Sequence, residues 1–245
     1  GAYAAEFGEY AVGGSSLTEA QVRQVEQEAL RNSDCMIAVS QALTAYWKRE
    51  FGYNDNRHVV IPCTISRDSH EIQLKESGKL RRIVFSGGNG KWQSIELISE
   101  MLIPYFEANK EVELNMLVKE LPHAFPLAVA FPDRVRQMWV NETEVAAVLA
   151  TCDYGWLVRA DSITNQVASP VKFAEYLAAG LTVIISPRLG DFTEFVVRNI
   201  CGGIVDEKVD QLPVVQASDR MRSQQLAMNN FRKQNYKNEY LYCLG

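Results

Sequence analysis

Residues 168–186 read ASPVKFAEYLAAGLTVIIS, a stretch that predicts a helix followed closely by a strand. Ser169 is a suitable N-cap, Pro170 is favoured at the first helical position, and Gly180 is a suitable end for the helix. The run TVIIS at 182–186 is short and apolar, as is typical of a strand. A helix and a strand in this order form one unit of an α/β fold.

Lys172 stands where the first turn of this helix is expected. The first turn carries partial positive charge and unpaired N–H groups, so an exposed cation there costs about 0.3–1 kcal/mol. A capping box would place Glu at this position. Either Lys172 turns into solvent at little cost, or an anion binds there.

The stretch belongs to a longer alternation of apolar runs and helix-period runs. From residue 80 onward, strands are predicted at 82–86, 112–118, 136–140, 153–158, 182–186 and 202–206, and helices at 92–107, 120–131, 142–151, 170–179 and 190–199. Pro122 and Pro126 interrupt the second helix. We therefore expect an α/β fold, a Rossmann-like doubly wound parallel sheet of about six strands flanked by helices.

The residues before 80 predict a smaller, partial α/β segment. It contains helices at 17–33 and 41–52, a strand at 35–40 and an apolar run at 59–66. We divide the chain into the end of a preceding domain at 1–66, a linker at 67–79, the main domain at 80–216 and a helical tail at 217–245. The tail is expected to pack across the sheet or onto another domain. Because the sequence does not begin with Met, we expect a fragment of a longer chain.

The composition argues against several classes of protein. With 245 residues, 47% of them hydrophobic, the chain is able to bury a core, and its net charge of −5 disfavours a nucleic-acid binder that depends on overall positive charge. The five cysteines include no C-x-x-C pair and the three histidines are scattered, so we expect reduced cysteines, no metal site and a cytoplasmic protein. No apolar run is long enough to span a bilayer, and the first residues contain neither a basic region nor an apolar core of the signal type, so we expect a soluble protein.

A glycine-rich loop, FSGGNGKW at 85–92, follows the first strand of the main domain. Such a loop is able to bring backbone N–H groups close to a phosphate, since glycine adopts positive φ without steric cost. The spacing matches neither G-x-G-x-x-G nor the P-loop pattern, which weakens the dehydrogenase and ATPase interpretations. A tight turn between strand and helix is the alternative.

The order of strands in a doubly wound sheet predicts where these segments meet. A ligand crevice opens at the carboxyl ends of the first and fourth strands, where the strand order reverses. The glycine loop follows the first strand, and residues 159–175 follow the fourth. We expect Lys91, the backbone at 87–90 and the helix start at 169–172 to converge on an anion. Glu175, one turn after Lys172, suits the hydroxyls of a ribose; an intrahelical Lys172–Glu175 pair is the alternative.

Four stretches together resemble one family, the nucleotide-sugar glycosyltransferases of the GT-B fold, particularly the retaining family-4 type. They are IAVSQAL at 37–43, VVIPCTI at 59–65, IVFSGGNGKW at 83–92 and SPVKFAEYLAAGLTVIIS at 169–186. The resemblance implies that the main domain is the donor-binding half of such a fold. It covers most of residues 17–206.

The family's motifs match this chain in part. Glu175 corresponds to the second glutamate of the E-x7-E motif, which binds the donor ribose, while Val167 stands at the position of the first. Lys91 matches the lysine of the diphosphate-binding loop, whose arginine is missing here. Lys172 resembles the lysine of the sPxKxxEYLA variant, and residues 61–64 read IPCT where the family has IPNG.

The resemblance implies a donor such as a UDP- or GDP-sugar, a glycan or lipid-linked acceptor, and neither a cofactor nor a metal. The residues expected at the donor phosphates are Gly87, Gly88, Asn89, Gly90, Lys91, Ser169, Pro170, Val171 and Lys172. Arg159 is a further candidate or else a solvated loop residue, and Asn141 is expected near the base. The catalytic histidine is expected in the missing N-terminal region, through which the protein would associate with the inner face of the membrane.

Three functions agree with these features. A glycosyltransferase of bacterial cell-surface polysaccharide or lipopolysaccharide biosynthesis agrees with most of them. A nucleotide-sugar epimerase has the same two-domain fold. A non-catalytic nucleotide-binding module would account for the missing first glutamate and the incomplete phosphate loop.

Overall fold

The computed structural model describes residues 1–10, 17–54, 57–65, 78–88 and 90–245. Its first part, up to residue 65, contains helices α1 (Tyr3–Tyr10), α2 (Glu19–Asn32) and α3 (Gln41–Phe51) and strands β1 (Met36–Ala38) and β2 (His58–Val60). The two strands pair in parallel, with Met36 opposite His58. Most of the predicted linker at 67–79 lies outside the described residues.

The second part contains six strands that form one parallel sheet. They are β3 (Arg81–Ser86), β4 (Val112–Leu117), β5 (Val135–Met138), β6 (Tyr154–Leu157), β7 (Thr182–Ile185) and β8 (Gly202–Ile204). Their order across the sheet is β5-β4-β3-β6-β7-β8, and each neighbouring pair is parallel. This confirms the predicted doubly wound α/β sheet, with the reversal of strand order between β3 and β6.

Helices cover both faces of this sheet. They are α4 (Ile95–Ala108), α5 (Pro126–Ala130), α6 (Glu142–Ala150), α7 (Ile163–Gln166), α8 (Val171–Ala178) and α9 (Phe192–Asn199), followed by α10 (Ala217–Asn230) and α11 (Lys237–Leu244). Along β3, Ile83 and Phe85 enter one hydrophobic core and Val84 enters the other, as the two-residue period of a strand requires. None of the described helices combines the length and apolar character needed to span a membrane.

Two helix predictions differ from the structure. Of the helix predicted at 120–131, only α5 forms. Pro126 occupies its first position, and the N–H of Phe125 donates to the Pro122 carbonyl in the turn before it. The helix predicted at 92–107 begins later, because residues 91–93 form a 3-10 turn that ends at Ser94 with a φ of 53°.

The C-terminal helices join the two parts of the chain. Phe231, at the end of α10, packs against Phe173 and Phe192, whose rings stack with centroids 4.0 Å apart. The chain then returns to the first part, where α11 packs against β2 and a disulfide links Cys35 to Cys243.

The expectation of five reduced cysteines is therefore wrong for this pair. The two cysteines are 208 residues apart in sequence but their Cα atoms are 5.3 Å apart, because α11 crosses back to the first part. Cys63, Cys152 and Cys201 are free.

Candidate functional site

The carboxyl ends of β3 and β6 lie side by side, with Ile83 paired to Tyr154 and Val84 to Gly155. The loop after β3 carries the glycines at 87–90, and the loop after β6 leads through α7 to α8. The two loops are hydrogen-bonded to each other, because the Ala160 N–H donates to Ser94 Oγ at 2.9 Å. At this junction the strand order reverses, which is where a ligand crevice is predicted.

Tyr176 of α8 is fully buried and bonds to the end of β3 at this junction. Its hydroxyl accepts the Ser86 N–H at 2.9 Å, at the last residue of β3, and lies 3.5 Å from the Trp156 carbonyl oxygen. Burial raises the pKa of Tyr176, so it stays neutral. A side chain at Gly155 would overlap the Tyr176 ring, so this glycine lets α8 pack directly on β6.

Arg159, two residues after β6, is only 9% exposed. Its Nη1 donates to Asn165 Oδ1 at 3.3 Å, and its backbone N–H donates to Ser186 Oγ at 3.2 Å. Burial lowers its pKa to about 10, partly opposed by the nearby Tyr176 and Tyr10. Among the described residues no carboxylate pairs with it, and the alternative of a solvated loop residue is wrong.

Lys172 is the second residue of α8 and is partly buried. Burial lowers its pKa; the charge of Glu175 opposes this effect and that of Arg159 adds to it. Burial raises the pKa of Glu175, Lys172 opposes the rise, and Glu142 adds to it. Lys172 and Glu175 thus influence each other without forming an ion pair in the described part of the chain. The charges that act on one another here are two cations, Arg159 and Lys172, and two carboxylates, Glu175 and Glu142.

The start of α8 differs from the prediction. Pro170, not Ser169, is its N-cap residue, and no side chain caps the helix. The Ser169 hydroxyl instead accepts the N–H of Cys63, from the first part of the chain, at 2.9 Å. Within the described residues, the N–H groups of Val171 and Lys172 have no hydrogen-bond partner, so this helix start remains available to an anion.

The glycine loop is less open than expected. The Gly87 N–H donates to the Leu117 carbonyl at 3.2 Å and the Gly88 N–H to Gln93 Oε1 at 3.3 Å. A side chain at Gly90 would overlap the Trp92 ring, and Lys91 is exposed. Asn89 lies outside the described residues. The N–H groups of Gly87 and Gly88 are thus occupied within the fold, and Lys91 has no described contact with Arg159 or Lys172.

Asn141 lies at the start of α6, next to Glu142. Its N–H donates to Glu144 Oε2 at 3.0 Å, the usual arrangement at a helix N-terminus. Because the charge of Glu142 adds to the rise in the pKa of Glu175, the start of α6 lies within electrostatic range of Glu175.

Sequence reasoning missed a contribution from the first ten residues. Glu9, near the end of α1, accepts the N–H groups of Ile163 and Thr164 at 2.6 and 3.0 Å. The Tyr10 hydroxyl donates to Ser162 Oγ at 2.8 Å, and its ring packs edge-on against Trp92 with centroids 6.4 Å apart. Helix α1 thus spans from α7 to the glycine loop. No local pattern reveals contacts between residues about 150 positions apart.

Comparison with known proteins gives structural matches only. No family model and no curated protein matches the sequence. Sucrose-phosphate synthase from Thermosynechococcus elongatus is 15% identical with a TM-score of 0.66, over 98% of this chain and 65% of that one. Anabaena HepE in complex with UDP is 14% identical with a TM-score of 0.68, over 95% of this chain and 70% of that one. WaaG, a glycosyltransferase involved in lipopolysaccharide biosynthesis, is 15% identical with a TM-score of 0.52, over 84% of this chain and 57% of that one.

At these identities the likeness establishes the fold. The six-stranded sheet corresponds to one Rossmann-like half of a GT-B glycosyltransferase. The chain spans less than two thirds of the length of the synthase and of WaaG.

Proposed function

We propose that the crevice binds the diphosphate of a nucleotide sugar, and that this chain is the donor-binding part of a glycosyltransferase. One observation carries the proposal: Arg159 is buried and Lys172 partly buried at the reversal of strand order, and neither has an ion-pair partner among the described residues. Two desolvated cations close together are costly, and a polyanion offsets that cost.

In the proposed complex, the charged groups follow the order of groups in such a ligand. Arg159, Lys172 and the free N–H groups of α8 would bind the two phosphates. Glu175 follows one turn along the helix and would accept the ribose hydroxyls. The base would lie beyond it, near Asn141 and Glu142. The UDP bound to HepE is a nucleoside diphosphate of this kind.

The same groups suit the departure of a nucleoside diphosphate. When the bond between the anomeric carbon and the phosphate oxygen breaks, negative charge develops on the leaving diphosphate. Cations and a helix N-terminus in a desolvated site stabilise that charge. The proposed transferase therefore requires no metal, and its reaction moves the sugar to a glycan or lipid-linked acceptor with retention at the anomeric carbon.

The wider assignment follows the resemblance. The proposed setting is bacterial cell-surface polysaccharide or lipopolysaccharide biosynthesis, in the cytoplasm or at the inner face of the membrane. The acceptor site and the catalytic histidine would lie outside the proposed donor-binding part. Lys91 and the glycines of the phosphate loop would contact the diphosphate after a rearrangement of that loop.

Calorimetric titration with UDP, GDP and their sugars tests the proposal. We expect one of the two nucleotides to bind. Lys172→Met and Glu175→Gln should each lower its affinity by about tenfold, which corresponds to the loss of one charge-assisted hydrogen bond. The matched control is Lys110→Met, which removes an exposed lysine just before β4, at the amino ends of the strands. Absence of binding, or unchanged affinity in both variants, would contradict the site.

A non-catalytic nucleotide-binding module is the second candidate. Val167 at the position of the first glutamate and the occupied N–H groups of Gly87 and Gly88 favour it. It predicts nucleotide binding by a complete chain without release of UDP or GDP from any sugar donor.

A further inference from the structure

Asn165 is a buried polar residue that the proposed donor contacts do not use. It is 2% exposed and belongs to α7, a four-residue helix between β6 and α8. Its backbone N–H donates to Ser162 Oγ at 3.2 Å, and its Nδ2 donates to the Ala160 carbonyl at 3.0 Å. Because Nδ2 is used by the Ala160 carbonyl, the Oδ1 oxygen is the side-chain atom left for Arg159.

Asn165 Oδ1 accepts the hydrogen bond from Arg159 Nη1 at 3.3 Å. In the described part of the chain, the other guanidinium nitrogens, Nε and Nη2, have no hydrogen-bond partner. Arg159 lies at the carboxyl end of β6, where its backbone N–H donates to Ser186 Oγ just after β7. Its charge acts on Lys172 at the start of α8. The neutral Asn165 oxygen thus accepts a hydrogen bond from Arg159 Nη1 and leaves the positive charge of the guanidinium uncompensated.

The first part of the chain supports this arrangement through Tyr10. Asn165 Nδ2 lies 3.4 Å from the Tyr10 hydroxyl, which itself donates to Ser162. Tyr10 and Ala160 together keep the amide nitrogen away from Arg159, so that the oxygen faces the guanidinium. Helix α1 therefore reaches Arg159 through Asn165.

We propose that Asn165 is the positioning residue for Arg159 in the phosphate site, holding the guanidinium by a neutral oxygen so that its remaining donors and full charge are available to a diphosphate. The inference rests on the proposed function, because it assumes that a diphosphate is the ligand. A neutral acceptor matters here, since an aspartate in the same place would supply a counter-ion and compete with the ligand.

The test compares a nucleoside diphosphate with its nucleoside. UDP and uridine, or GDP and guanosine if the wild-type protein prefers GDP, are titrated by NMR against wild-type protein and the isosteric variant Asn165→Asp. We expect Asn165→Asp to lower the affinity for the diphosphate by about tenfold to a hundredfold, which is the range for hydrogen bonds to a charged group. The affinity for the nucleoside should stay within about twofold of the wild-type value. A purely structural role would lower both affinities together.

Asn109→Asp is the matched control. The Asn109 side chain also donates to a backbone carbonyl, that of Tyr105 at 2.9 Å, but at the opposite edge of the sheet. This variant makes the same change in net charge and should leave both affinities unchanged. Tyr10→Phe provides a second variant if Asn165→Asp does not fold. It should lower the affinity for the diphosphate, but not for the nucleoside, by about threefold to tenfold, which corresponds to one neutral hydrogen bond.

Failure of this inference differs from failure of the proposed function. If wild-type protein binds neither diphosphate, the proposed function and this inference fail together. If wild-type protein binds, but Asn165→Asp or Tyr10→Phe keeps the wild-type ratio of diphosphate to nucleoside affinity, Asn165 does not position Arg159 and only this inference fails.

Discussion

Lys172 combines two unfavourable positions, the first turn of a helix and the neighbourhood of a buried arginine. The helix dipole disfavours a cation there, and the Arg159 charge lowers the Lys172 pKa further. We expect an uncharged residue to give higher stability, and the proposed anionic ligand would account for the lysine. Binding sites commonly trade stability for function in this way.

The first prediction follows from that trade. At pH 7, in the absence of nucleotide, Lys172→Gln should raise the free energy of unfolding by about 0.3–1 kcal/mol, the cost of a cation at a helix start. Urea denaturation of the wild-type and variant proteins measures the difference. A variant less stable than wild type would mean that Lys172 makes a stabilising contact within the fold.

The pH dependence of this difference has a definite sign. The folded-state pKa of Lys172 lies below the unfolded value of 10.5, so between the two values the unfolded state binds more protons and stability rises with pH. The advantage of Lys172→Gln should therefore be largest at pH 7 and shrink as the pH approaches 10.5. A difference that does not change with pH would exclude titration of Lys172 as its cause.

At the scale of elements, α8 shows what could and could not be predicted from the sequence. Its position and approximate length followed from residues such as Pro170 and Gly180, which act over a few positions. That Ser169 would bond to Cys63 rather than cap the helix could not be predicted, because the partner is 106 residues away. The same holds for Asn165 and Tyr10, and α7 is too short for a periodic pattern to show.

The strand order was predictable because right-handed crossovers leave few ways to arrange alternating strands and helices. The crevice between β3 and β6 followed from that order. The conformation of the glycine loop did not, since it depends on Leu117 from β4 and on the side chain of Gln93.

The hydrogen bond from Ser86 to Tyr176 fastens α8 to β3. Tyr176→Phe leaves the ring in place but removes the acceptor of a backbone N–H at the edge of the crevice. We expect a loss of about 1–3 kcal/mol in the free energy of unfolding, the cost of an unsatisfied buried donor. Urea denaturation measures it, with Tyr3→Phe as the control, because Tyr3 is 62% exposed. Equal stability of Tyr176→Phe and wild type would show that water replaces the hydroxyl.

At the scale of the whole molecule, several contacts hold the two parts of the chain in one arrangement. Ser40 Oγ donates to the Val167 carbonyl at 2.7 Å, and the Asp191 carboxylate accepts the N–H groups of Gln41 and Ala42 at 2.7 and 3.0 Å. These contacts reach the segment just before α8 and the loop after β7. The position of the first part is thereby coupled to the start of α8, where the proposed phosphate site lies.

The disulfide between Cys35 and Cys243 links the first part of the chain covalently to α11. It closes a loop of about 208 residues, so its removal should increase the conformational entropy of the unfolded chain and lower the free energy of unfolding by about 2–4 kcal/mol. We expect Cys243→Ser to show this loss in urea, and wild-type protein with a reductant to match it. Thiol titration of denatured protein should give three thiols without reductant and five with it, in agreement with the three free cysteines. Five thiols without reductant, or equal stability of Cys243→Ser and wild type under oxidising conditions, would show that α11 is held to β2 by packing alone.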